Sequence, residues 1–302
     1  MNRFDLLEQR LAEAGLTLCP NEPMSRHTSF RIGGPVRLLA IPHNEVELIA
    51  ALKAARELDI TPFPLGNGSN LLCSDEPMER FVIQTLNALD TLELLEGNRI
   101  RCGAGVLLSR LAAFAQKHAL TGLEFASGIP GTLGGGAVMN AGAYNGELKD
   151  VLVETRYVTL DGEIGTLRGE EQGFGYRTSA FVGGDRIIVG GLLQLTPGDG
   201  AAIAERMADL NQRRRDKQPL DYPSAGSTFK RPEVGFAAAL IDQCGLKGLQ
   251  VGGAQVSPKH AGFVVNVGGA TCADVLALTE QIHETVLRQT GVSLELEIKR
   301  LS

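Results

Sequence analysis

Hydrophobic positions along the chain recur with two periods, and the two periods divide it into helices and strands. Phe4, Leu7, Leu11 and Ala14 stand at helical spacing and predict an amphipathic helix over about residues 2–15. Pro20 and Pro23 break the chain after it, and HTSFRIGGPVRLLAIP reads as short strands about a turn at Gly33-Gly34. A helix over residues 45–58 places Val46, Ile49, Leu52 and Ala55 on one face, and residues 60–64, 81–85 and 100–103 read as strands. Leu108, Leu111, Phe114 and Ala115 mark a helix over 107–118, with strands near 151–160, 164–167 and 187–195 after it. A helix over about 201–214 ends in the basic run Arg213-Arg214-Arg215, and the composition then shifts through a linker at 219–223.

Beyond the linker the pattern predicts a helix over about 237–244 and short strands around Gln255 and residues 263–267. Thr271-x-x-Asp274 forms a capping box that opens a helix with Val275, Thr279, Ile282 and Val286 inward, closed by Gly291. Val292, Leu294, Leu296 and Ile298 then alternate with polar residues as in a half-exposed strand, so Glu295 and Glu297 share its polar face. The mixture of elements reads as α+β, and 302 residues exceed what one core usually serves.

A formal charge of -6 argues against a protein that coats nucleic acid or a membrane surface, so an anionic ligand must meet local cations. The five cysteines are odd in number and widely spaced without a C-x-x-C, which points to a reducing cytoplasm rather than a disulfide scaffold or a zinc site. No run approaches the length of a membrane span, and the N-terminal residues lack the continuous apolar segment of a signal peptide.

Glycine supplies the first functional clue, with 37 in the chain and no Gly-X-Y period. The GNGSN turn of residues 66–70 follows an apolar strand and suits either a phosphate or an ordinary strand-to-loop turn. GIPGTLGGGAVMNAGAY, residues 128–144, concentrates glycine and small residues where a ligand can lie against main chain, a glycine-rich structural hairpin being the alternative. Neither is a strict G-x-G-x-x-G and no Gly-Lys dipeptide occurs, so the Rossmann and Walker A signatures are absent.

Five motifs in fixed order then carry a resemblance: Arg26-x-Thr28-Ser29-Phe30-x-x-Gly33-Gly34, Pro64-Leu65-Gly66-x-Gly68-Ser69-Asn70-Leu71, Gly128-Ile129-Pro130-Gly131-x-x-Gly134-Gly135, Asn140-Ala141-Gly142-Ala143-Tyr144 and Tyr176-Arg177-x-Ser179. With Ala225-Gly226-Ser227-x-Phe229-Lys230-x-Pro232, Ser257-x-Lys259-His260-Ala261-Gly262-Phe263 and Glu297-Ile298-Lys299, the chain resembles the UDP-N-acetylenolpyruvoylglucosamine reductases over nearly its whole length. Its short spacing resembles their shorter, type II branch. Ile298-Lys299 stands where that family commonly has Val-Arg, which leaves the acid in place.

The resemblance implies an FAD-binding domain of the vanillyl-alcohol-oxidase (PCMH) type, in two α+β subdomains over 1–85 and 86–215, followed by an α+β substrate domain over 216–290. The C-terminal residues 291–302 are expected to return to the second subdomain. It also implies noncovalent FAD, NADPH as hydride donor, UDP-N-acetylglucosamine enolpyruvate as substrate, a place in peptidoglycan synthesis, and Arg177, Ser227 and Glu297 as catalytic residues. The cofactor residues it implies are Arg31, Gly66, Asn67, Gly68, Ser69, Asn70, Gly128, Ile129, Pro130, Gly131, Gly134, Gly135, Asn140, Ala141 and Gly142. Tyr144 is expected at the substrate, Lys217, Lys230, Arg231, Lys259 and His260 lie near the substrate motifs and can meet its diphosphate or carboxylate, and no metal ligand is expected. Arg213 to Arg215 read as a solvated helix end. The alternatives are another flavoprotein of the same fold acting on a sugar or hydroxy acid, and a nucleotide-binding module without catalysis. Retention of Arg177, Ser227 and Glu297 speaks against the second.

Overall fold

The computed structural model describes residues 2–302, which divide into two units by their internal contacts. The first comprises Met1–Pro20, Arg37–Asn67 and Arg80–Gln212; the second comprises Asn21–Val36, Gly68–Glu79 and Arg213–Ser302.

In the first unit, helix α1 (Arg3–Glu13) begins at a capping box between Asn2 and Asp5 and buries Phe4, Leu7 and Leu11. Helix α2 (Glu45–Glu57) is capped by Asn44 and buries Leu48, Ala51, Leu52 and Ala55. Val46, expected inward, is 77% exposed, because the buried stripe runs through Leu48, Ala51, Leu52 and Ala55, and Leu48 stands two residues on, about 200° round the helix from Val46. The core here joins both helices to Leu38, Phe81, Ile83, Val158 and Ile187. Strands Thr17–Pro23, Pro35–Ile41, Met78–Gln84 and Pro62–Leu65 lie in that order in one sheet, the last two parallel. The prolines expected to break the chain instead sit in Thr17–Pro23, an edge strand, where a missing N–H is tolerated.

A second, wholly antiparallel sheet of the first unit runs Ile164–Arg168, Leu152–Thr159, Arg186–Gln194, Arg99–Gly103, Leu92–Leu95. Helices α3 (Leu108–Lys117) and α4 (Leu133–Val138) supply its core with Leu108, Leu111, Leu133 and Ala137. Helix α5 (Gly200–Lys217) continues through the basic run and past the expected end at residue 214.

In the second unit, α6 (Ala237–Gln243) and α7 (Cys272–Thr290) share a core with Phe30, Phe229, Val256, Val264 and Ile298. Strands Gln250–Val251, Ala254–Val256 and Val264–Asn266 form an antiparallel sheet. The α7 capping box of Thr271 and Asp274 is present, and Gly291 closes the helix at φ +74. Residues 27–32, expected as strand before the turn at Gly33-Gly34, are loop: Thr28 Oγ1 donates to the Ile32 carbonyl, and the Arg31 N–H to the Thr28 carbonyl. The backbone groups of a strand are thereby taken up within the turn. Residues 292–298 keep the expected alternation, with Leu294 and Ile298 buried, but form only an isolated bridge. The regular strand is Lys299–Leu301, which pairs in parallel with Leu71–Cys73 rather than with any strand of residues 86–215.

Candidate functional site

Two glycine-rich loops far apart in sequence meet in the first unit. Asn67 Nδ2 donates to the Pro130 carbonyl at 2.6 Å, and a Cβ on Gly66 would stand 2.5 Å from Thr132 Oγ1. Thr132 is fully buried and caps α4, accepting from the Gly135 N–H at 3.3 Å. Gly128, Ile129 and Gly131 are half-buried beside an exposed Pro130.

The glycines separate into two kinds by what a Cβ would meet. At Gly134 it would stand 3.0 Å from the Ala104 Cβ, and at Gly136 3.0 Å from Leu148, so the fold itself asks for both. Gly68, at φ +58, would press a Cβ onto the His27 carbonyl. Gly135 is different: it is exposed and helical, and nothing lies closer to its would-be Cβ than Thr132 Oγ1 at 3.6 Å. The protein's own packing gives no reason for glycine there, whereas close approach of a ligand to the main chain does. Among the described residues, no acceptor takes a hydrogen bond from the N–H of Asn67, Gly68 or Ser69, three donors in one turn. Main-chain donors and a bare helical face suit the pyrophosphate and ring of FAD, so the residues present fit that group.

Arg31, Ser69 and Asn70 belong to the second unit. Arg31 is exposed at φ +57, and Ser69 is half-buried. Asn70 ties down the C-terminal segment: its carbonyl accepts from the Lys299 N–H at 2.9 Å, and its Nδ2 donates to the Glu297 carbonyl at 3.3 Å.

Arg177 sits in the first unit in a tight turn bridged between Gly175 and Thr178, with φ +54, a conformation that costs a non-glycine residue of order 1–3 kcal/mol. Its guanidinium lies 5.4 Å from the centre of the Tyr176 ring and donates to the Gly142 carbonyl at 3.4 Å. Asn140, Tyr144 and Asn145 on the facing loop also have positive φ, so strain gathers at one place. Asn140, expected among the cofactor residues, has its side chain inside the fold: it is fully buried, with its amide bonded to Glu147, Gly175 and the Lys149 N–H. Ala141, Gly142 and Tyr144 are half-buried on the same loop.

In the second unit, Ser227 is exposed at the head of a segment held on both sides. The Thr228 N–H donates to the Gly262 carbonyl at 2.9 Å, and the Glu297 N–H donates to the Thr228 carbonyl at 2.9 Å. Phe229 bridges Leu296, and the Lys230 N–H donates to the Glu295 carbonyl. Ser227 and Glu297 are therefore neighbours by main-chain pairing. The same pairing separates the two glutamates: Glu295 is exposed and bound to Lys230 Nζ at 2.9 Å, which holds its carboxyl below the usual range, while Glu297 is half-buried.

The expected cationic residues are placed unevenly. Lys217 is exposed at the end of α5, and Lys230 is engaged with Glu295. Lys259 Nζ donates to the Arg215 carbonyl at 2.5 Å. The His260 ring packs edge-on to Phe263 at 5.1 Å, and burial pushes its imidazole below the ordinary value. Burial raises the Cys73 and Cys102 thiols to about 12, so neither supplies a thiolate near neutrality. Among the described residues no group of three or more His, Cys, Asp or Glu can hold a metal ion, and no helix is long and apolar enough to cross a membrane.

Thr132 and Glu147 were not singled out from the sequence. Their roles are contacts with Gly66 and Asn140 formed only when distant loops meet, and no local spacing announces them.

Residues 35–168 match the FAD binding domain family, and residues 218–301 match the family described as UDP-N-acetylenolpyruvoylglucosamine reductase, C-terminal domain. A UDP-N-acetylenolpyruvoylglucosamine reductase of Caldanaerobacter subterraneus subsp. tengcongensis is 48% identical over 295 residues, covering 98% of this chain and 96% of its own. One of Clostridium perfringens (strain 13 / Type A) is 42% identical over 301 residues, covering 99% and 97%. Among solved structures, UDP-N-acetylenolpyruvylglucosamine reductase (MurB) from Thermus caldophilus superposes with a TM-score of 0.80 at 34% identity, covering 95% of this chain and 99% of that one.

Proposed function

The chain belongs to the UDP-N-acetylenolpyruvoylglucosamine reductase family, and on that premise we propose that Arg177, Ser227 and Glu297 carry its chemistry. It is an FAD-dependent oxidoreductase of α+β fold with a vanillyl-alcohol-oxidase-type flavin domain. It reduces UDP-N-acetylglucosamine enolpyruvate with NADPH in peptidoglycan synthesis.

FAD, when bound, supplies hydride transfer from NADPH to the terminal carbon of the enolpyruvyl ether. The charge that then develops at the α-carbon spreads into the carboxylate as an enediolate. Arg177, always cationic, holds those oxygens in its fork. Glu297, when it carries a proton, donates to the same enolate. Ser227 Oγ–H delivers the proton that the α-carbon needs. Gly66 to Asn70, Gly128 to Gly131 and Gly135 would present main chain to FAD, with Arg31, Ala141 and Gly142 also among its binding residues, while Gly134 serves the packing of the loop. Tyr144, Lys217, Lys230, Lys259 and His260 meet the sugar nucleotide. We assign flavin binding mainly to residues 1–215 and substrate binding mainly to residues 216–290. The five cysteines are free, in keeping with a cytoplasmic location.

One observation carries the catalytic assignment: the 2.9 Å bond from the Glu297 N–H to the Thr228 carbonyl makes that glutamate the neighbour of Ser227, while Glu295 is engaged by Lys230. Purified protein is expected to be yellow, to release its flavin on acid precipitation, and to oxidise NADPH rapidly only with the enolpyruvyl sugar nucleotide present. Steady-state rates for Arg177→Ala, Ser227→Ala, Glu297→Gln and Glu295→Gln test the residues. The first three are expected to lose activity and the last to keep it. Equal losses for Glu295→Gln and Glu297→Gln would remove the assignment.

A further inference from the structure

The turn that carries Arg177 is strained, and the geometry points to Asn140 as the residue that holds it in place. Gly175 opens the turn, and its carbonyl accepts from Asn140 Nδ2 at 3.1 Å. The second hydrogen of that nitrogen goes to Glu147 Oε2 at 2.7 Å, and Asn140 Oδ1 accepts from the Lys149 N–H at 3.0 Å. One fully buried amide thus joins the Arg177 turn to the loop it faces. A carboxylate has no hydrogen for either acceptor, and a glutamine would be a methylene too long. The left-handed backbone at Asn140, φ +42, also favours asparagine over most residues.

Two further bonds act on the same turn. Ser179 Oγ donates to the Val138 carbonyl at 2.9 Å, and Arg177 itself donates to the Gly142 carbonyl. Both acceptors belong to the segment around Asn140, so turn and loop are tied before, at and after Arg177. Without the amide, the Gly175 carbonyl and the Glu147 carboxylate lose a buried donor, and the φ +54 of Arg177 loses the contact that compensates it. Asn140 touches neither FAD nor substrate through this amide, so its part in the reaction is to position Arg177. The inference rests on reading Arg177 as catalytic.

The test is a double-mutant cycle read by single-turnover kinetics. Holoenzyme reduced with NADPH is mixed with UDP-N-acetylglucosamine enolpyruvate, and flavin absorbance follows reoxidation in wild type, Asn140→Ala, Arg177→Ala and the double variant. Asn140→Ala is expected to slow reoxidation about tenfold, equivalent to ~1.4 kcal/mol, and to leave flavin reduction by NADPH unchanged. In the Arg177→Ala background the same substitution is expected to change the rate less than twofold, because its effect passes through a side chain no longer there. If Asn140→Ala costs the same factor in both backgrounds, or nothing in wild type, the inference fails while the role of Arg177 stands. If Arg177→Ala alone reoxidises as fast as wild type, the reading of Arg177 fails and the inference falls with it. Should Asn140→Ala not fold, the same cycle with Asn140→Asp, which keeps the shape and loses the two donated hydrogens, decides by the same rule.

Discussion

At the scale of the residue, glycine carried two messages that the sequence could not separate. The abundance of glycine in residues 128–144 pointed to a ligand lying on bare main chain, yet Gly134 and Gly136 are small because Ala104, Leu108 and Leu148 pack on them. Only a would-be Cβ, placed in three dimensions, distinguishes these from Gly135. Gly135→Leu is expected to fold normally and to purify with a reduced flavin-to-protein ratio. Gly68→Ala is expected to destabilise the fold by roughly 1–3 kcal/mol or more through its backbone conformation and through the contact with the His27 carbonyl. Flavin absorbance and thermal denaturation separate the two outcomes, and full occupancy in Gly135→Leu would contradict the cradle.

His260 makes a prediction of the same scale. Burial, aided by the nearby positive charge of Lys247, lowers its folded-state value below the ordinary 6.5. The unfolded chain therefore takes up a proton at a pH where the folded chain does not. The stability that His260 contributes is complete above about 6.5 and is lost as pH falls toward the folded value. Between about pH 7 and pH 5 the melting temperature is expected to fall more steeply for wild type than for His260→Gln. Parallel pH profiles would show that His260 is not the group responsible.

At the scale of the element, legibility followed locality. Helix α7 could be read with its start, inward face and stop, because Thr271, Asp274 and Gly291 act on backbone groups within a turn of themselves. Thr271→Ala is expected to cost about 1 kcal/mol and to lower the melting temperature by about 2–4 °C. Asp75 shares the load, since its carboxylate accepts from the Cys272 and Ala273 N–H groups at 2.8 and 3.2 Å. That second cap was invisible, because it comes from a residue 197 positions away. Residues 292–298 show the reverse case: their alternation was legible, but their partner, the segment after Ser227, was not. The Thr17–Pro23 strand was hidden by its prolines, which an edge position excuses.

At the scale of the whole molecule, the motifs in fixed order identified the family, while the division of the chain was beyond local pattern. Residues 21–36 and 68–79 belong with 213–302, an interleaving that rests on contacts such as Leu71–Cys73 with Lys299–Leu301. We propose that Ser227 acts only in the second half of the reaction. Reduction of FAD by NADPH needs no proton at a substrate carbon, and completion of the enolpyruvyl reduction does. Rapid mixing of Ser227→Ala, watched at the flavin band, is expected to show normal reduction by NADPH and reoxidation slowed roughly 100- to 10,000-fold. Reoxidation by the enolpyruvyl substrate at the wild-type rate would contradict the account and leave Ser227 a turn residue.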